Sequence, residues 1–490
     1  MENQKIIHWH THLELNDYNL GDCPELERKL SIYDKIYYRF IPKGFVYDNE
    51  RKALLIPAGV SARWVENLTG RPVEMKYTSD ENDPMSIRLK AKPRNELQKE
   101  AIAFLAGEGQ YRSYSKYGQM ILNLDTGEGK TFTTIALMTV RRLKTIIILN
   151  SNKIKEQWVE KLQEYTDISP KAICEFNGSS KCASIIKYPK KYSQYRVFIT
   201  THDTIRSFGN TYGWDQVHEL FKSMRVGIKI YDEAHLEFQN IVKIDCYTDT
   251  KYTYYLTATF GRSNINENFV YNMCFKSIPK YEQRTKDEYD GKRYINYMAV
   301  FYKSNPTLLN INNLKNKYGF NRNAYASYQL VDDEFFFPMI RFLVELTVKK
   351  KEFKTLLLIA TIEGIEDIRD YINKEFPEIK VGIYHSRMKD QDEKLAAMDC
   401  DLIISTAKSL GVGADIPNLR VVINTESYKS TIITDQILGR LRKPVNGDTC
   451  YYIELVDKAF TTLRAQQKSR EKLLKHLVGN VLYVKGLGLR

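Results

Sequence analysis

Cysteine is scarce in this chain, and its spacing matches no metal site. The seven cysteines among 490 residues are dispersed, with no Cys-x-x-Cys pair and no histidine at zinc spacing. We expect them to be free, buried thiols. His8, His10 and His12 alternate along the chain, and we interpret them as side chains on one face of a strand rather than as metal ligands.

Long apolar runs are also missing. No stretch approaches the roughly 20 apolar residues that span a bilayer. The amino terminus lacks the basic-then-apolar order of a signal peptide. The hydrophobic content of 43% is that of a globular protein. These absences argue against a membrane protein, and we expect a cytoplasmic one without a membrane partner.

Positive charge is what the chain has in excess. The net charge is +13 although 60 residues are acidic, so a strongly negative polymer is the expected partner. Nucleic acid fits this expectation better than an anionic membrane surface. At 490 residues the chain is also too long for one ordinary domain of about 100–200 residues.

A glycine-containing run from Asp125 to Thr131 has the form of a phosphate-binding loop. It lies between a predicted buried strand, Gly118–Leu124, and a predicted helix, Phe132–Lys144, where backbone N–H groups can surround phosphate oxygens. The strict eight-residue pattern is not met, because Leu124 stands at its first glycine. The shorter Thr-Gly-x-Gly-Lys-Thr form of helicases is met.

A second run, Asp232-Glu233-Ala234-His235, supplies the acidic groups that such a site needs. It follows the predicted strand Val226–Tyr231, whose C-terminal end is where open α/β sheets bind ligands. We expect Asp232 to hold Mg²⁺ together with the Thr131 hydroxyl, Glu233 to polarise the attacking water, and Lys130 to reach the β- and γ-phosphates of ATP. The two runs together predict a nucleoside triphosphate hydrolysis site.

Two series of short apolar runs alternate with amphipathic helices, a pattern typical of parallel sheets. The first series predicts strands at Met120–Leu124, Thr145–Leu149, Val197–Thr201, Ile228–Tyr231 and Tyr254–Thr257. The second follows a predicted helix, Asp333–Lys351, and predicts strands at Thr355–Ala360, Val381–Tyr384, Leu402–Ser405, Val421–Asn424 and Tyr451–Leu455. The fold class is therefore α/β, with two tandem parallel-sheet domains.

The remaining segments complete a division into five parts. We expect a small α+β accessory domain over residues 1–92, the two sheet domains over 93–276 and 331–460, and a C-terminal basic helix or tail over 461–490. Residues 277–330 interleave lysines and arginines with tyrosines. They are interpreted either as a strand-tracking segment whose rings stack on bases or as a solvated linker whose tyrosines pack locally.

Weaker motifs surround the two runs in a fixed order. They are Arg94-x-x-x-Gln98, Leu149-Asn150-Ser151, Gln157-Trp158, Thr200-Thr201, Thr257-Ala258-Thr259, Ser405-Thr406, Gly411-x-Gly413-x-Asp415-Ile416-Pro417 and Gln436-x-x-Gly439-Arg440. Over roughly residues 94–460 this set resembles a superfamily 2 helicase with an Asp-Glu-Ala-His box. Gln157-Trp158 and the residues after Asp415 are similar to DNA-acting members: XPB-like helicases, restriction motors and phage UvsW-type recombination helicases.

The resemblance implies two RecA-like domains with ATP between them. Catalysis would fall to Lys130, Thr131, Asp232, Glu233, Gln436 and Arg440. Nucleotide binding would involve Arg94, Gln98, Thr126, Gly127, Glu128, Gly129, Lys130, Thr131, Asp415, Arg442 and Lys443. The family pattern Gly-Arg-x-x-Arg reads Gly439-Arg440-Leu441-Arg442-Lys443 here, so either Lys443 acts as a point charge or Arg442 takes that role.

The same resemblance assigns the residues outside the nucleotide site. Strand phosphates would be contacted by Ser151, Thr201, Arg262 and Thr406, and nucleotide state would be reported by His235, Thr257 and Thr259. Such phosphate contacts position a strand without reading its sequence.

The function expected from the resemblance is that of an ATP-dependent DNA helicase or translocase. It would move 3′-to-5′ as a monomer on single-stranded and branched DNA, such as forks, Holliday junctions and R-loops, in phage-type replication, recombination or repair. Its N-terminal domain and basic linker would grip the duplex or junction, and replication or recombination proteins would be its protein partners. The phage or bacterial cytoplasm follows from the resemblance alone. Three alternatives stay open: an RNA helicase, a restriction-type motor subunit that translocates without separating strands, and a nucleotide-regulated binding module without turnover.

Overall fold

The structure is a computed structural model that forms two compact units, residues 1–283 and 284–490. It describes residues 4–34, 37–76, 83–125, 127–258, 265–282, 292–316, 319–385, 387–388, 390–410, 416–428, 430–444 and 447–485. In this part of the chain no helix is both long and apolar enough to cross a bilayer.

The first unit begins with a mixed sheet in the order β5-β6-β2-β1-β7, antiparallel except for the β1–β7 pair. Its second strand, β6, reads Ala-Leu-Leu-Ile-Pro and is buried throughout. The elements are β1 (Ile6–His8), β2 (His12–Leu15), α1 (Pro24–Lys29), β3 (Ser31–Asp34), β4 (Arg39–Pro42), β5 (Val46–Asp48), β6 (Ala53–Pro57), α2 (Ala62–Thr69) and β7 (Val73–Met75).

The three alternating histidines do not lie on one strand. His8 ends β1 and His12 begins β2, so His10 sits in the hairpin turn that the Trp9 N–H closes by donating to the His12 carbonyl at 2.9 Å. Because these histidines belong to two strands and a turn, the interpretation that they share one face of a strand is wrong. Among the described residues no cluster of histidine, cysteine and carboxylate side chains could hold a metal.

A parallel α/β domain completes the first unit. Its seven strands run in the order β10-β11-β9-β12-β13-β8-β14. The elements are α3 (Glu96–Ala106), β8 (Gln119–Asn123), α4 (Lys130–Arg141), β9 (Thr145–Leu149), α5 (Lys153–Tyr165), β10 (Ile173–Glu175), α6 (Ser179–Lys187), α7 (Pro189–Tyr192), β11 (Val197–Thr201), α8 (His202–Tyr212), α9 (Trp214–Met224), β12 (Ile228–Tyr231), α10 (Phe238–Tyr247), β13 (Tyr252–Thr257), α11 (Ile265–Phe275) and β14 (Lys280–Glu282).

The N-terminal region shares its core with this domain. One cluster of buried apolar residues contains both Leu54 of β6 and Ile244 of α10. Across the same interface the Tyr247 hydroxyl donates to Asp48 at 3.2 Å, and the His10 backbone N–H donates to Asp249 at 2.9 Å. Residues 1–92 thus fold as part of the first unit, because they cover apolar surface of its helices.

The second unit is built on another seven-stranded parallel sheet, in the order β19-β20-β18-β21-β22-β15-β23. The elements are β15 (Lys292–Tyr302), α12 (Leu308–Asn313), β16 (Lys315–Asn316), β17 (Gly319–Phe320), α13 (Arg322–Val331), α14 (Phe336–Val344), β18 (Thr355–Leu358), α15 (Ile362–Glu375), β19 (Val381–Tyr384), α16 (Gln391–Met398), β20 (Leu402–Ser405), α17 (Ala407–Leu410), β21 (Val421–Asn424), α18 (Thr431–Leu438), β22 (Cys450–Asp457), α19 (Thr461–Leu477) and β23 (Val478–Lys485).

The two tandem parallel sheets confirm the predicted fold class, and each predicted strand is present. Two segments differ from expectation. The supposed linker contains β15, an interior strand, in which Tyr297 is fully buried and its hydroxyl donates to Glu454 at 2.8 Å. Lys292 is also buried and pairs with Asp435 at 2.5 Å. These two residues are therefore core groups, neither base-stacking nor solvated.

The second difference is at the C-terminal end. The supposed tail continues beyond α19 into β23, which pairs in parallel with β15. The helix predicted at Asp333–Lys351 begins later, at Phe336, and its last turns, Glu345–Lys350, are wound as a π-helix. Propensity alone gives no signal for β23, because this strand forms by pairing with β15, whose lysines and tyrosines did not indicate an interior strand.

Candidate nucleotide-binding site

The phosphate loop joins β8 to α4 in the first unit. Gly127 and Gly129 have φ of 93° and 89°, a left-handed conformation that favours glycine. Helix α4 begins at Lys130, so the unpaired N–H groups of its first turn face the loop. The Lys130 ammonium donates to the Leu124 carbonyl at 3.0 Å. Thr126 lies outside the described residues.

Arg94 and Gln98, at the start of α3, hold this loop from outside. The Arg94 guanidinium donates to the Gly127 carbonyl at 2.6 Å, and the Gln98 amide donates to the Glu128 carbonyl at 3.2 Å. The Gln98 amide oxygen accepts from the Arg94 backbone N–H at 3.0 Å. Both polar atoms of the buried Gln98 side chain are therefore hydrogen-bonded within the protein, and the bond from its amide nitrogen braces the loop's backbone.

The acidic run follows β12 at the C-terminal edge of the same sheet. Asp232 accepts a hydrogen bond from the indole Nε1 of Trp158 at 3.0 Å and one from the Glu233 backbone N–H at 3.0 Å. Burial and the neighbouring Glu233 carboxylate raise the pKa of Asp232 to about 6. The Trp158 hydrogen bond and the Lys130 ammonium oppose that rise in pKa.

Glu233 and His235 connect this edge to the next strand. Glu233 has φ of 49°, an uncommon conformation for a residue with a side chain. The Nδ1 atom of the buried His235 lies 2.9 Å from the Thr257 hydroxyl and 3.5 Å from a Glu233 carboxylate oxygen. One ring nitrogen therefore lies between the acidic run and the end of β13. Thr259 is outside the described residues.

These groups fit a nucleotide and its metal ion. A helix N-terminus with glycines in the preceding turn can accept phosphate oxygens. The Lys130 ammonium has two N–H donors beyond the one given to Leu124. Asp232 and Thr131 carry oxygen atoms of the kind that Mg²⁺ prefers as ligands, and a cation beside the half-buried Asp232 would stabilise its negative charge.

The candidate strand contacts divide into three kinds. The hydroxyls of Thr201 and Thr406 accept backbone N–H groups and cap the helices that follow, α8 and α17. The Ser151 hydroxyl is buried and has no hydrogen-bond partner among the described residues, and the same holds for the side-chain amide of Asn150. Arg262 lies outside the described residues.

The second unit carries the remaining candidates around the end of α18. Gln436 and Arg440 are buried, with 9% and 7% of their surface exposed, whereas Arg442 and Lys443 are exposed. The segment is anchored by β15, since Lys292 pairs with Asp435 and the Tyr294 hydroxyl donates to the Leu441 carbonyl at 2.7 Å. Asp415 lies outside the described residues.

Two family models match the chain in the order of its two sheets. Residues 91–262 match "Type III restriction enzyme, res subunit" and residues 338–443 match "Helicase conserved C-terminal domain". The chain is a superfamily 2 helicase. It is thereby a nucleic-acid-dependent ATPase, and the family to which it belongs uses ATP.

The helicase is similar to proteins from several sources. "Transcript termination protein A18" of Yaba monkey tumor virus is 23% identical over 73% of this chain and 69% of its own length. "DNA 3'-5' helicase XPB" of Mycobacterium tuberculosis is 28% identical over 46% of this chain and 36% of its own length. The structure of S. cerevisiae Dbp5 bound to RNA and ADP BeF3 shares the fold, with a TM-score of 0.52 and 15% identity over 80% of this chain and 89% of that one.

Trp158 is the site residue whose contact sequence reasoning missed. Gln157-Trp158 was informative only as a marker of DNA-acting relatives, and nothing in its spacing indicates a contact with Asp232. That contact arises because α5 follows β9, the strand beside β12, so that its buried indole reaches the end of β12. The signal available from sequence was a tryptophan on the apolar face of a helix adjacent to the acidic strand.

Proposed function

We propose that this helicase is an ATP-driven motor that moves along DNA and acts on branched structures such as forks, Holliday junctions and R-loops. The observation that most directly supports an ATP-driven motor is the group of Lys130, Asp232 and the buried Trp158 beside a phosphate-type loop. It brings a cation suited to phosphate next to a carboxylate suited to a metal ion. The net charge of +13 agrees with a polyanionic partner.

In this proposal the chain's residues act in a set order. The Lys130 ammonium breaks its hydrogen bond to the Leu124 carbonyl and binds the β- and γ-phosphates, while the Glu233 carboxylate polarises the attacking water. Mg²⁺ held by Thr131 and Asp232 would neutralise charge on the phosphate oxygens. We further propose that Gln436 and Arg440 act on the same nucleotide, that Asp415 joins them, and that Arg442 or Lys443 supplies a second cation.

Coupling of hydrolysis to movement is assigned to His235 and Thr257, with Thr259, because His235 touches both the acidic run and β13. Strand phosphates are assigned to Ser151, Thr201, Thr406 and Arg262. Ser151 supports this assignment, since its buried hydroxyl has no partner among the described residues and such a group gains free energy when a ligand supplies one.

DNA is proposed over RNA because relatives include a protein named DNA 3'-5' helicase. The RNA alternative rests on a specific observation too, since a relative from Acanthamoeba polyphaga mimivirus is named "Putative ATP-dependent RNA helicase L396" and is 23% identical over 74% of this chain. A phage or bacterial cytoplasm and a monomeric state complete the proposal.

Strand separation tests the substrate assignment. We expect ATP-dependent displacement of the labelled strand from a forked DNA and from a duplex with a 3′ single-stranded tail, and none from a duplex with a 5′ tail. Lys130→Ala, which lacks the phosphate-binding ammonium, is the matched control and should displace nothing. Displacement of a strand from tailed RNA but from no DNA substrate would contradict the DNA proposal and support an RNA helicase. ATP hydrolysis without strand displacement would support a motor that translocates without separating strands.

A further inference from the structure

A cavity of about 610 Å³ opens in the first unit, away from the nucleotide site. The turn between β1 and β2 forms one wall, and Lys116–Gln119 with Lys251 and Tyr252 form the opposite wall. Its volume falls within the roughly 300–1,000 Å³ of ordinary ligand sites. The N-terminal region therefore encloses a space against the sheet domain in addition to covering its core.

The cavity and the nucleotide site lie at opposite edges of one sheet. β8 and β13 are parallel, with Thr253 opposite Gln119 at their beginnings and Thr257 opposite Asn123 at their ends. The cavity is lined from the beginnings of these strands, whereas the phosphate loop and the Thr257 hydroxyl follow their ends. Five residues of strand separate the two edges by about 16 Å.

Three lysine ammonium groups lie over three aromatic rings at this cavity. Lys76 is 5.1 Å from the centre of the Trp9 ring, Lys116 is 5.4 Å from that of Tyr117, and Lys251 is 5.9 Å from that of Tyr252. The rings of Trp9, Tyr117 and Tyr252 line the cavity. All three lysines are exposed and pair with no described carboxylate.

The walls carry no opposing charge. Among the described residues that line the cavity there is no aspartate or glutamate. Two carboxylates contact lining residues: Asp249 accepts from the His10 backbone N–H at 2.9 Å, and Glu14 accepts from the Trp9 indole at 2.7 Å. The three exposed lysines outnumber these two carboxylates, so the cavity combines flat aromatic faces with an excess of positive charge. That combination suits a ligand with planar aromatic groups joined by anionic ones.

We propose that this cavity binds unpaired bases of single-stranded nucleic acid, with Trp9, Tyr117 and Tyr252 stacking on bases and Lys76, Lys116 and Lys251 contacting the phosphates. Stacking of this kind tolerates every base, since each has a π-face. The proposal rests on the proposed function and deepens it. It adds a contact with the nucleic-acid strand that is built partly by the N-terminal region. This contact lies at the end of the sheet opposite the nucleotide site.

Binding to a fluorescently labelled oligothymidylate without nucleotide tests this, using the full chain. Tyr117→Ala combined with Lys251→Glu should weaken binding by about tenfold or more, because it removes a stacking face and reverses a charge. Tyr188→Ala combined with Lys187→Glu is the matched control, since in that exposed pair a lysine lies over a tyrosine ring at a similar distance, 5.3 Å, outside the cavity. The control should bind like the wild type.

Photocrosslinking locates the strand independently of affinity and of any folding defect. An oligothymidylate carrying 5-iodouracil should form adducts with Trp9, Tyr117 or Tyr252 of the wild type, identified by mass spectrometry. If the wild type binds the oligothymidylate, the cavity variant and the control weaken binding equally, and no adduct forms at these rings, this inference is overturned while the proposed function stands. A wild type that binds no nucleic acid would overturn the proposed function as well.

Discussion

The indole Nε1 of the buried Trp158 donates a 3.0 Å hydrogen bond to the carboxylate of Asp232, which is half-buried. A hydrogen bond to a charged acceptor favours the ionised form. Trp158 thereby favours the ionised form of a carboxylate whose pKa is raised by desolvation and by Glu233. The helix that follows β9 thus lowers the pKa of the proposed metal ligand.

Trp158→Phe should move the acid limb of ATP hydrolysis to higher pH. The pKa of Asp232 is about 6, and a metal ligand must be deprotonated, so kcat/KM should fall as the pH drops through that value. Loss of a hydrogen bond to a charged group, worth about 1.5 kcal/mol, raises the pKa by about one unit. The pH profile of kcat/KM for Trp158→Phe checks this, with Trp214→Phe as control. An unmoved limb would show that Trp158 is only a packing residue.

Gly129→Ala should abolish tight nucleotide binding. A Cβ there would lie 2.2 Å from the Gln98 amide nitrogen, and φ of 89° disfavours any side chain. Either the Gln98 side chain or the loop must shift, which breaks the Gln98 contact with the Glu128 carbonyl, and titration with a fluorescent ATP analogue should show at least about tenfold weaker binding. Gly109→Ala is the control for an alanine at a left-handed glycine outside the loop, since Gly109 has φ of 57° with open space around it. Equal affinities for the two variants would contradict a role of the Gly129 and Gln98 contact in nucleotide binding.

His235→Ala should reduce the ratio of nucleic-acid-stimulated to unstimulated ATP hydrolysis towards one. The alanine methyl group can make neither the 2.9 Å contact with the Thr257 hydroxyl nor the 3.5 Å approach to Glu233. Thr257→Val removes the other partner of that contact and should lower the ratio similarly. If the two changes act through one contact, the double variant is no worse than either single one. Additive losses would mean that the two residues act separately.

Glu426→Gln should stabilise the second unit at neutral pH. Burial raises the pKa of Glu426 to about 7, against an ordinary value of 4.5. The folded state therefore binds a proton more tightly than the unfolded state, and stability falls as the pH rises from about 4.5 to 7. Glutamine keeps an acceptor for the Ala407 N–H, which donates to Glu426 at 2.5 Å. Thermal unfolding at pH 5 and pH 8 should show a smaller difference for the variant than for the wild type.

Periodicity predicted the buried strands well because their side chains are almost uniformly apolar, as in Thr145–Leu149 and Val421–Asn424. It failed for β15, where Lys292 and Tyr297 are buried through the ion pair with Asp435 and the hydrogen bond to Glu454. Those partners lie more than 140 residues away, and no local pattern encodes them.

The candidate site divides in the same way. The spacing of Gly127, Gly129 and Lys130 encodes a local turn, so the sequence was sufficient to predict the loop. The hydrogen bonds from Gln98 to the Glu128 carbonyl and from Trp158 to Asp232 depend on how α3 and α5 pack on the sheet. A motif therefore predicts which residues belong to a site, whereas the contacts that tune them require the fold.

Steady-state ATP hydrolysis by the wild type and by Glu233→Gln tests the central claim most directly. Each protein is assayed alone and with single-stranded DNA, forked DNA or single-stranded RNA. We predict that forked DNA stimulates the wild type most and that Glu233→Gln loses at least about 100-fold in every condition, as expected when a general base is removed, while still binding nucleotide. Equal rates for the two proteins would contradict the assignment of Glu233, and stimulation by RNA alone would contradict the DNA substrate.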